Sequence, residues 1–237
     1  MINNINPIFL LADSQLLFCK SGESLFYKKI NYLINTKEGK RENITAAYIG
    51  ASNNDNPEFY ELFKEAMKQF DIRYCRMIKS IPDCADKKFL GKADIVLLAG
   101  GNTENGWDII KRNNWNKIII EKYNKGSILI GVSAGAIQIG MGECCIDLKN
   151  QEAEGKFGGM QLIPYIIDVH SNDDWNDLSN KVSRQDKQHI GIGIPSGAGM
   201  IVCPDMSLEA IRYSCIRVVK SGKNIVKSSI LPYRYNL

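Results

Sequence analysis

Short apolar runs, each closed by small or turn-forming residues, recur along the chain at residues 8–12, 44–51 and 93–99, at Ile128–Val132 and at Ile190–Ile194. Runs of that length without polar alternation suit strands covered on both faces. Residues 16–19 are read as resuming the first strand, 71–78 and 162–169 as further strands, and 200–203, 208–219 and 224–231 as short strands near the end. The intervening segments carry apolar residues at helical spacing. Residues 24–34 do so with Ser24 as a cap, and Phe59, Leu62, Phe63, Ala66, Met67 and Phe70 do so after the turn-rich 52–57. Helices are also expected at 86–90, 106–111, 116–124, after Ser133, and from 171–177 through Val182, whereas 143–159 reads mainly as loops.

Strands alternating with helices imply right-handed βαβ units and a largely parallel sheet. Ser221-Gly222-Lys223-Asn224 supplies the turn of a closing β-hairpin. No repeat, low-complexity tract or linker interrupts this pattern, so residues 1–237 are read as one α/β domain.

Composition narrows the class. Hydrophobic residues make up 44%, charged residues 24%, and the net charge is +4. Those values suit a soluble globular chain with a sizeable core. Lys and Arg are interspersed with Asp and Glu, which argues against a nucleic-acid face. Seven cysteines without a C-x-x-C pair argue against a metal site or a disulfide framework. The start of the chain has no signal-peptide pattern, and no apolar run is long enough for a membrane span. A cytoplasmic protein without metal or cofactor is the expectation.

The chemistry concentrates at Gly131-Val132-Ser133-Ala134-Gly135, where an apolar strand ends in a serine flanked by small residues and followed by a helix. This fits the G-x-S-x-G elbow, whose tight backbone needs glycine on both sides of the nucleophile. The competing reading is a strand-to-helix turn whose serine merely caps the helix. In an open α/β sheet, ligands bind beyond the carboxyl ends of the strands. Ala51-Ser52, Gly100-Gly101-Asn102, Ser133, His170 and Ser196-Gly197 all follow predicted strands, so they are expected along one rim. Of the two histidines, His170 follows its strand and His189 precedes its own. His170 is therefore the candidate base and His189 a structural or solvated side chain. The amides of Ala134 and of the Gly100-Gly101 turn are candidate oxyanion donors. The glycine turn has an alternative reading, as the close-packed start of a helix.

Taken together, Leu98-Ala99-Gly100-Gly101-Asn102-Thr103, the elbow segment 130–136, Leu162-Ile163-Pro164 leading to Asp168-Val169-His170, and the segment 191–197 make the chain resemble the peptidase E and cyanophycinase family of serine peptidases. The resemblance runs from about Ile44 to the final hairpin. It implies a three-layer α/β/α sandwich similar to class I glutamine amidotransferases. It also implies Ser133 as nucleophile, His170 as base, and the amides of Gly101 and Ala134 as the oxyanion hole, with Gly100 and Asn102 contacting substrate. The expected activity is a dipeptidase-like hydrolysis of small peptides or amide conjugates through an acyl-enzyme, with no nucleic-acid or membrane partner. The oligomeric state is left open, a homodimer included.

Two departures from the family pattern bear on mechanism. Peptidase E has Pro-Glu-Gly where this chain has Pro195-Ser196-Gly197. That glutamate is the usual third member of the triad, and removing the third member of a well-studied triad costs about 10⁴ in kcat, roughly 5.5 kcal/mol of barrier. Ser196 itself, Asp168 (two residues before His170 on the same strand, hence expected on its face) and Asp147 are the candidates for the third position. A catalytically impaired binding protein is the alternative function; an α/β-hydrolase esterase ranks behind both, because no histidine follows His189. The second departure is Ser171-Asn172-Asp173-Asp174-Trp175 after the histidine, with Arg184 the only arginine from Ser171 to Ile190. Family members that recognise aspartyl substrates have an aromatic residue and an arginine-rich helix there. Asp173 and Asp174 are read either as helix-capping groups or as attracting a basic or free-amine substrate end.

Overall fold

A computed structural model describes residues 5–18, 24–36, 43–142, 158–171, 174–185 and 189–232. The first half runs β1 (Ile8–Leu11), α1 (Leu25–Asn35), β2 (Thr45–Ile49), α2 (Pro57–Lys68), β3 (Tyr74–Ile78), α3 (Cys84–Leu90), β4 (Ile95–Leu98), α4 (Thr103–Arg112) and α5 (Trp115–Asn124). It continues with β5 (Ile128–Val132), α6 (Ala134–Ile139), β6 (Tyr165–Val169), α7 (Asn176–Ser183) and β7 (Ile190–Ile194). The chain closes with β8 (Gly199–Val202), β9 (Leu208–Ile211), β10 (Cys215–Ser221) and β11 (Asn224–Ile230).

The apolar strands are buried on both faces, and their alternation divides the interior in two. Ile8, Leu10, Ile49, Val96, Leu98 and Leu129 point to one side, where they pack with Trp107 and Ile110 of α4 and Trp115 and Ile119 of α5. Phe9, Leu11, Tyr48, Leu97, Ile130 and Val132 point to the other, against Phe26 and Ile30 of α1 and Phe63 and Met67 of α2. This is the helix–sheet–helix sandwich that the family resemblance implies. Each fully buried side chain of this kind contributes about 1.5–3 kcal/mol relative to exposure.

The main sheet has seven strands in the order β3-β2-β4-β5-β1-β8-β9. The first five are mutually parallel, whereas β8 and β9 add antiparallel edges. The expectation of one sheet is corrected here. Strands β6 and β7 pair in parallel with each other in a second, four-stranded sheet, β11-β10-β7-β6, which contains the expected hairpin of β10 and β11. One face of this small sheet joins the first core through Tyr165, Ile167, Ile192 and Ile194. The other is covered by Trp175, Leu178 and Val182, the latter two on α7. Sequence periodicity gives strand existence but not strand partners, which is why the two sheets are merged in the sequence reading.

Several boundaries also move. The run 16–19, expected to resume a strand, falls largely in a 3₁₀ turn at Ser14–Phe18. Asp13 starts this turn, its carboxylate accepting the Gln15 amide at 2.9 Å. Strand β6 begins only after Pro164, which cannot donate to a ladder. The expected strand 208–219 is two strands, separated by Arg212 at φ 70°. Helix α4 begins earlier than expected because Asn102 caps it, accepting the Asn105 amide at 2.8 Å. Ser24 occupies the cap position of α1 without making a side-chain cap bond. Among the described residues, no helix is long and apolar enough to cross a membrane.

Candidate active site

Ser133 sits between β5 and α6 with φ 50° and ψ −113°. A non-glycine residue in that backbone region costs about 1–3 kcal/mol and persists only where the surroundings enforce it. The neighbouring glycines explain how the turn closes. A Cβ on Gly131 would lie 2.7 Å from the Ala136 backbone, and one on Gly135 would lie 2.2 Å from the Leu98 carbonyl oxygen. Ser133 makes no side-chain cap bond to α6. The capping alternative is therefore set aside, and the hydroxyl is left facing a cavity.

The Gly100-Gly101 turn, which follows β4, packs directly on this serine. A Cβ on Gly100 would come within 3.1 Å of the Ser133 Cβ and 3.8 Å of its Oγ. Gly101 takes φ 136°, and a Cβ there would overlap the Ser52 carbonyl oxygen at 2.0 Å. The same oxygen accepts the Asn102 amide at 2.7 Å. Asn102 is thus held as the cap of α4, and it is Gly100 and Gly101 that line the cavity. The close-packing role weighed for this turn is real, and it coexists with the proximity to Ser133. Ala134, at the first position of α6, carries one of the amides that a helix leaves without an internal partner.

His170 arrives from the other sheet. Val169 is in register with Ile194, and the His170 amide donates to the Ile194 carbonyl at 3.2 Å. That register sets His170 beside the turn that follows β7, and its Nδ1 lies 3.0 Å from the Ser196 Oγ. His170 itself has φ 60°, so strand alternation no longer governs it. The same-face expectation for Asp168 depends on that alternation. The Asp168 carboxylate accepts the Val169 amide at 3.0 Å and approaches Lys181 Nζ at 4.0 Å. Asp147 and Asp173 lie outside the described residues. Asp174 pairs with Lys227 at 3.1 Å. His189 directly precedes β7, at the end of the strand opposite Ser196.

Of the expected rim, Gly100, Gly101, Ser133 and His170 meet at one cavity, drawn from two sheets, whereas Ser52, Asn102 and Ser196 do not line it. Asn53, Gly100, Gly101, Ser133 and His170 line one cavity of about 260 Å³. Ser52 is buried beneath it, its Oγ accepting from Gln138 Nε2 at 3.0 Å. Asn53 donates to the Tyr48 hydroxyl at 2.8 Å, and burial pushes that phenol up to about 12, so it stays neutral.

Asp13, like Asn53, is not legible as a site residue in the sequence. Two residues beyond the end of β1, Asp13 lines the cavity and accepts the Gly197 amide at 2.6 Å through Oδ2. It ties the Ser196 turn to the main sheet. Its position after a predicted strand was a usable signal, but Asp13 reads locally as a strand breaker.

Residues 16–209 match peptidase family S51, and the chain belongs to that family of serine peptidases. It is 26% identical over 107 residues to the uncharacterized peptidase YgaJ of Bacillus subtilis (strain 168), a match covering 45% of this chain and 46% of that protein, so it spans about half the length of that relative. A candidate peptidase E protein from Listeria monocytogenes EGD-e superposes with a TM-score of 0.55 at 17% identity, covering 95% of this chain and 99% of that one. A peptidase from an acI-B1 Actinobacterium gives a TM-score of 0.65 at 14% identity, covering 97% and 98%. At those identities the structural likeness speaks for the fold, which is that of peptidase E proteins.

Proposed function

We propose that this chain is a serine-type peptidase that hydrolyses small peptides or amide conjugates through an acyl-enzyme on Ser133. The observation that carries the reading is the convergence of the strained Ser133 and His170 on one cavity, with Ser196 against Nδ1 of the imidazole. His170 Nε2 takes the Ser133 proton as Oγ adds to the substrate carbonyl, and the amides of Gly101 and Ala134 receive the developing oxyanion. The leaving amine then takes the proton from imidazolium, and water releases the acyl group by the reverse sequence.

Ser196 acts in place of a carboxylate. By accepting from Nδ1–H it selects the tautomer whose Nε2 is free to act as base. It supplies no negative charge to the imidazolium, so turnover is expected to be slow relative to a full triad. The neutral Ser196 is also the observation that favours the second reading, a peptidase-like binding protein without catalysis.

A fluorophosphonate probe and a dipeptide and isoaspartyl-peptide library separate the two. Wild type is expected to be labelled at Ser133 and to hydrolyse library members, and Ser133→Ala to lose both with its fold intact. A wild-type protein that is neither labelled nor active over the library would favour the binding protein.

A further inference from the structure

The cavity above Ser133 has a wall that the reaction does not require. Leu17 and Phe18 of the 3₁₀ turn and Phe59, Leu62 and Phe63 of α2 stand on it, with Tyr48 behind. Phe63 is buried, but Phe18, Phe59 and Leu62 remain 36%, 50% and 45% exposed. Three large hydrophobic side chains left in water around one opening are an unusual expense of apolar surface unless something covers them. Phe59 and Phe63 are four residues apart on α2 and Leu62 lies between them, so one helix face presents all three. The volume of about 260 Å³ lies just under the range of about 300–1,000 Å³ usual for small-ligand pockets, enough for one side chain beside the reacting bond.

The charge around the same cavity points the same way. Among the described residues lining the cavity, Asp13 is the only carboxylate, and no lysine or arginine joins it. A carboxylate at that place repels an acidic substrate side chain and contributes nothing to an apolar one.

We infer that the cavity receives a large apolar side chain, aliphatic or aromatic, on the residue that supplies the scissile carbonyl, and discriminates against an aspartyl one. This rests on the reading of Ser133 as nucleophile only for the direction in which the substrate lies. Phe59 and Leu62 are then specificity-determining residues. A hydrophobic pocket separates substrates that differ by one methylene by roughly 10–200-fold, so phenylalanyl and leucyl substrates should exceed alanyl ones by at least that lower bound.

Two measurements test the assignment. The first compares kcat/KM for the aminomethylcoumarin amides of Phe, Leu, Ala, Asp and Lys on wild type, Phe59→Ala and Leu62→Ala. Phe and Leu should lead Ala and Asp by about tenfold or more, and each truncation should lower the Phe-to-Ala ratio severalfold. The second titrates Ser133→Ala calorimetrically with phenylalaninamide and with aspartic acid α-amide, so that binding is read without catalysis. Phenylalaninamide should bind the more tightly, and Phe59→Ala introduced into Ser133→Ala should shrink the difference. Equal or tighter binding of the aspartyl amide, or a Phe preference that survives both truncations, would overturn the inference. If no amide is cleaved while phenylalaninamide still binds selectively, the peptidase reading falls and the cavity assignment stands.

Discussion

The Asp13 carboxylate accepts the amide of Gly197 at 2.6 Å, joining residues 184 positions apart in the chain. Asp13 follows β1 of the main sheet, and Gly197 follows β7 of the small one. The contact fixes how the turn carrying Ser196 is presented to His170. Hydrogen bonds to an ionised acceptor contribute about 1.5–3 kcal/mol. Asp13→Ala is therefore expected to lower stability by about that amount and kcat by about tenfold, read by urea unfolding and by the rate of Ser133 labelling. Asp13→Asn keeps an acceptor oxygen and should recover much of the loss. A wild-type labelling rate in Asp13→Ala would rule out the positioning role.

Ser196 itself gives a graded series. A neutral hydrogen bond contributes about 0.5–1.5 kcal/mol, so Ser196→Ala should lower kcat by about 3–10-fold, far less than the loss of a buried aspartate from a full triad. Ser196→Glu introduces a charge-assisted partner and should raise kcat by about tenfold. Steady-state kinetics on one amide substrate reads both. A gain in Ser196→Ala would contradict the orienting role.

Gly101→Ala places a methyl group 2.0 Å from the Ser52 carbonyl oxygen, at a backbone angle unsuited to alanine. The turn must shift away from Ser52 or the protein must bear the clash. A loss on the order of 2–4 kcal/mol in unfolding free energy is expected, together with slower labelling of Ser133. Both are measurable on the same preparation by urea titration and probe kinetics.

Alkaline pH should lower the stability of the fold. Burial pushes the Cys215 thiol up to about 12 and the Cys75 thiol up to about 11 from an ordinary value of 9. In that window the unfolded chain releases these protons while the folded chain keeps them, so the unfolded state binds fewer protons and stability falls as pH rises. The contribution is complete below pH 9 and is lost progressively toward pH 12. Melting temperatures measured from pH 8 to 11 should decline, and the decline should be shallower in Cys215→Ala. Equal slopes in the two proteins would remove Cys215 as a cause.

Much of the architecture is legible in the chain itself. The runs at β4, β5 and β7 state their own strands, because residues covered on both faces must be apolar throughout. The elbow is legible for a related reason: Gly131 and Gly135 are dictated by backbone contacts within a few residues or with the adjacent strand. Where partners are distant, local pattern is silent. Nothing in residues 165–194 says that β6 and β7 leave the main sheet, because a strand's periodicity is the same whichever neighbour it pairs with.

For the site, the sequence by itself determined which residues follow strands: Gly100-Gly101, Ser133, His170 and Ser196. Backbone direction in a βαβ chain sends strand ends to a common side, and that is enough to nominate them. Only the tertiary structure decided that Ser196 is the group at the His170 ring, through the register of β6 on β7 and the left-handed turn at His170. Only it showed that Asp13 reaches the Ser196 turn, since a carboxylate after the first strand and an amide after the seventh meet by virtue of how two sheets are set together. Ser133 could be found from its neighbours in the chain. What surrounds it could not, because a cavity is made of surfaces that the sequence keeps far apart.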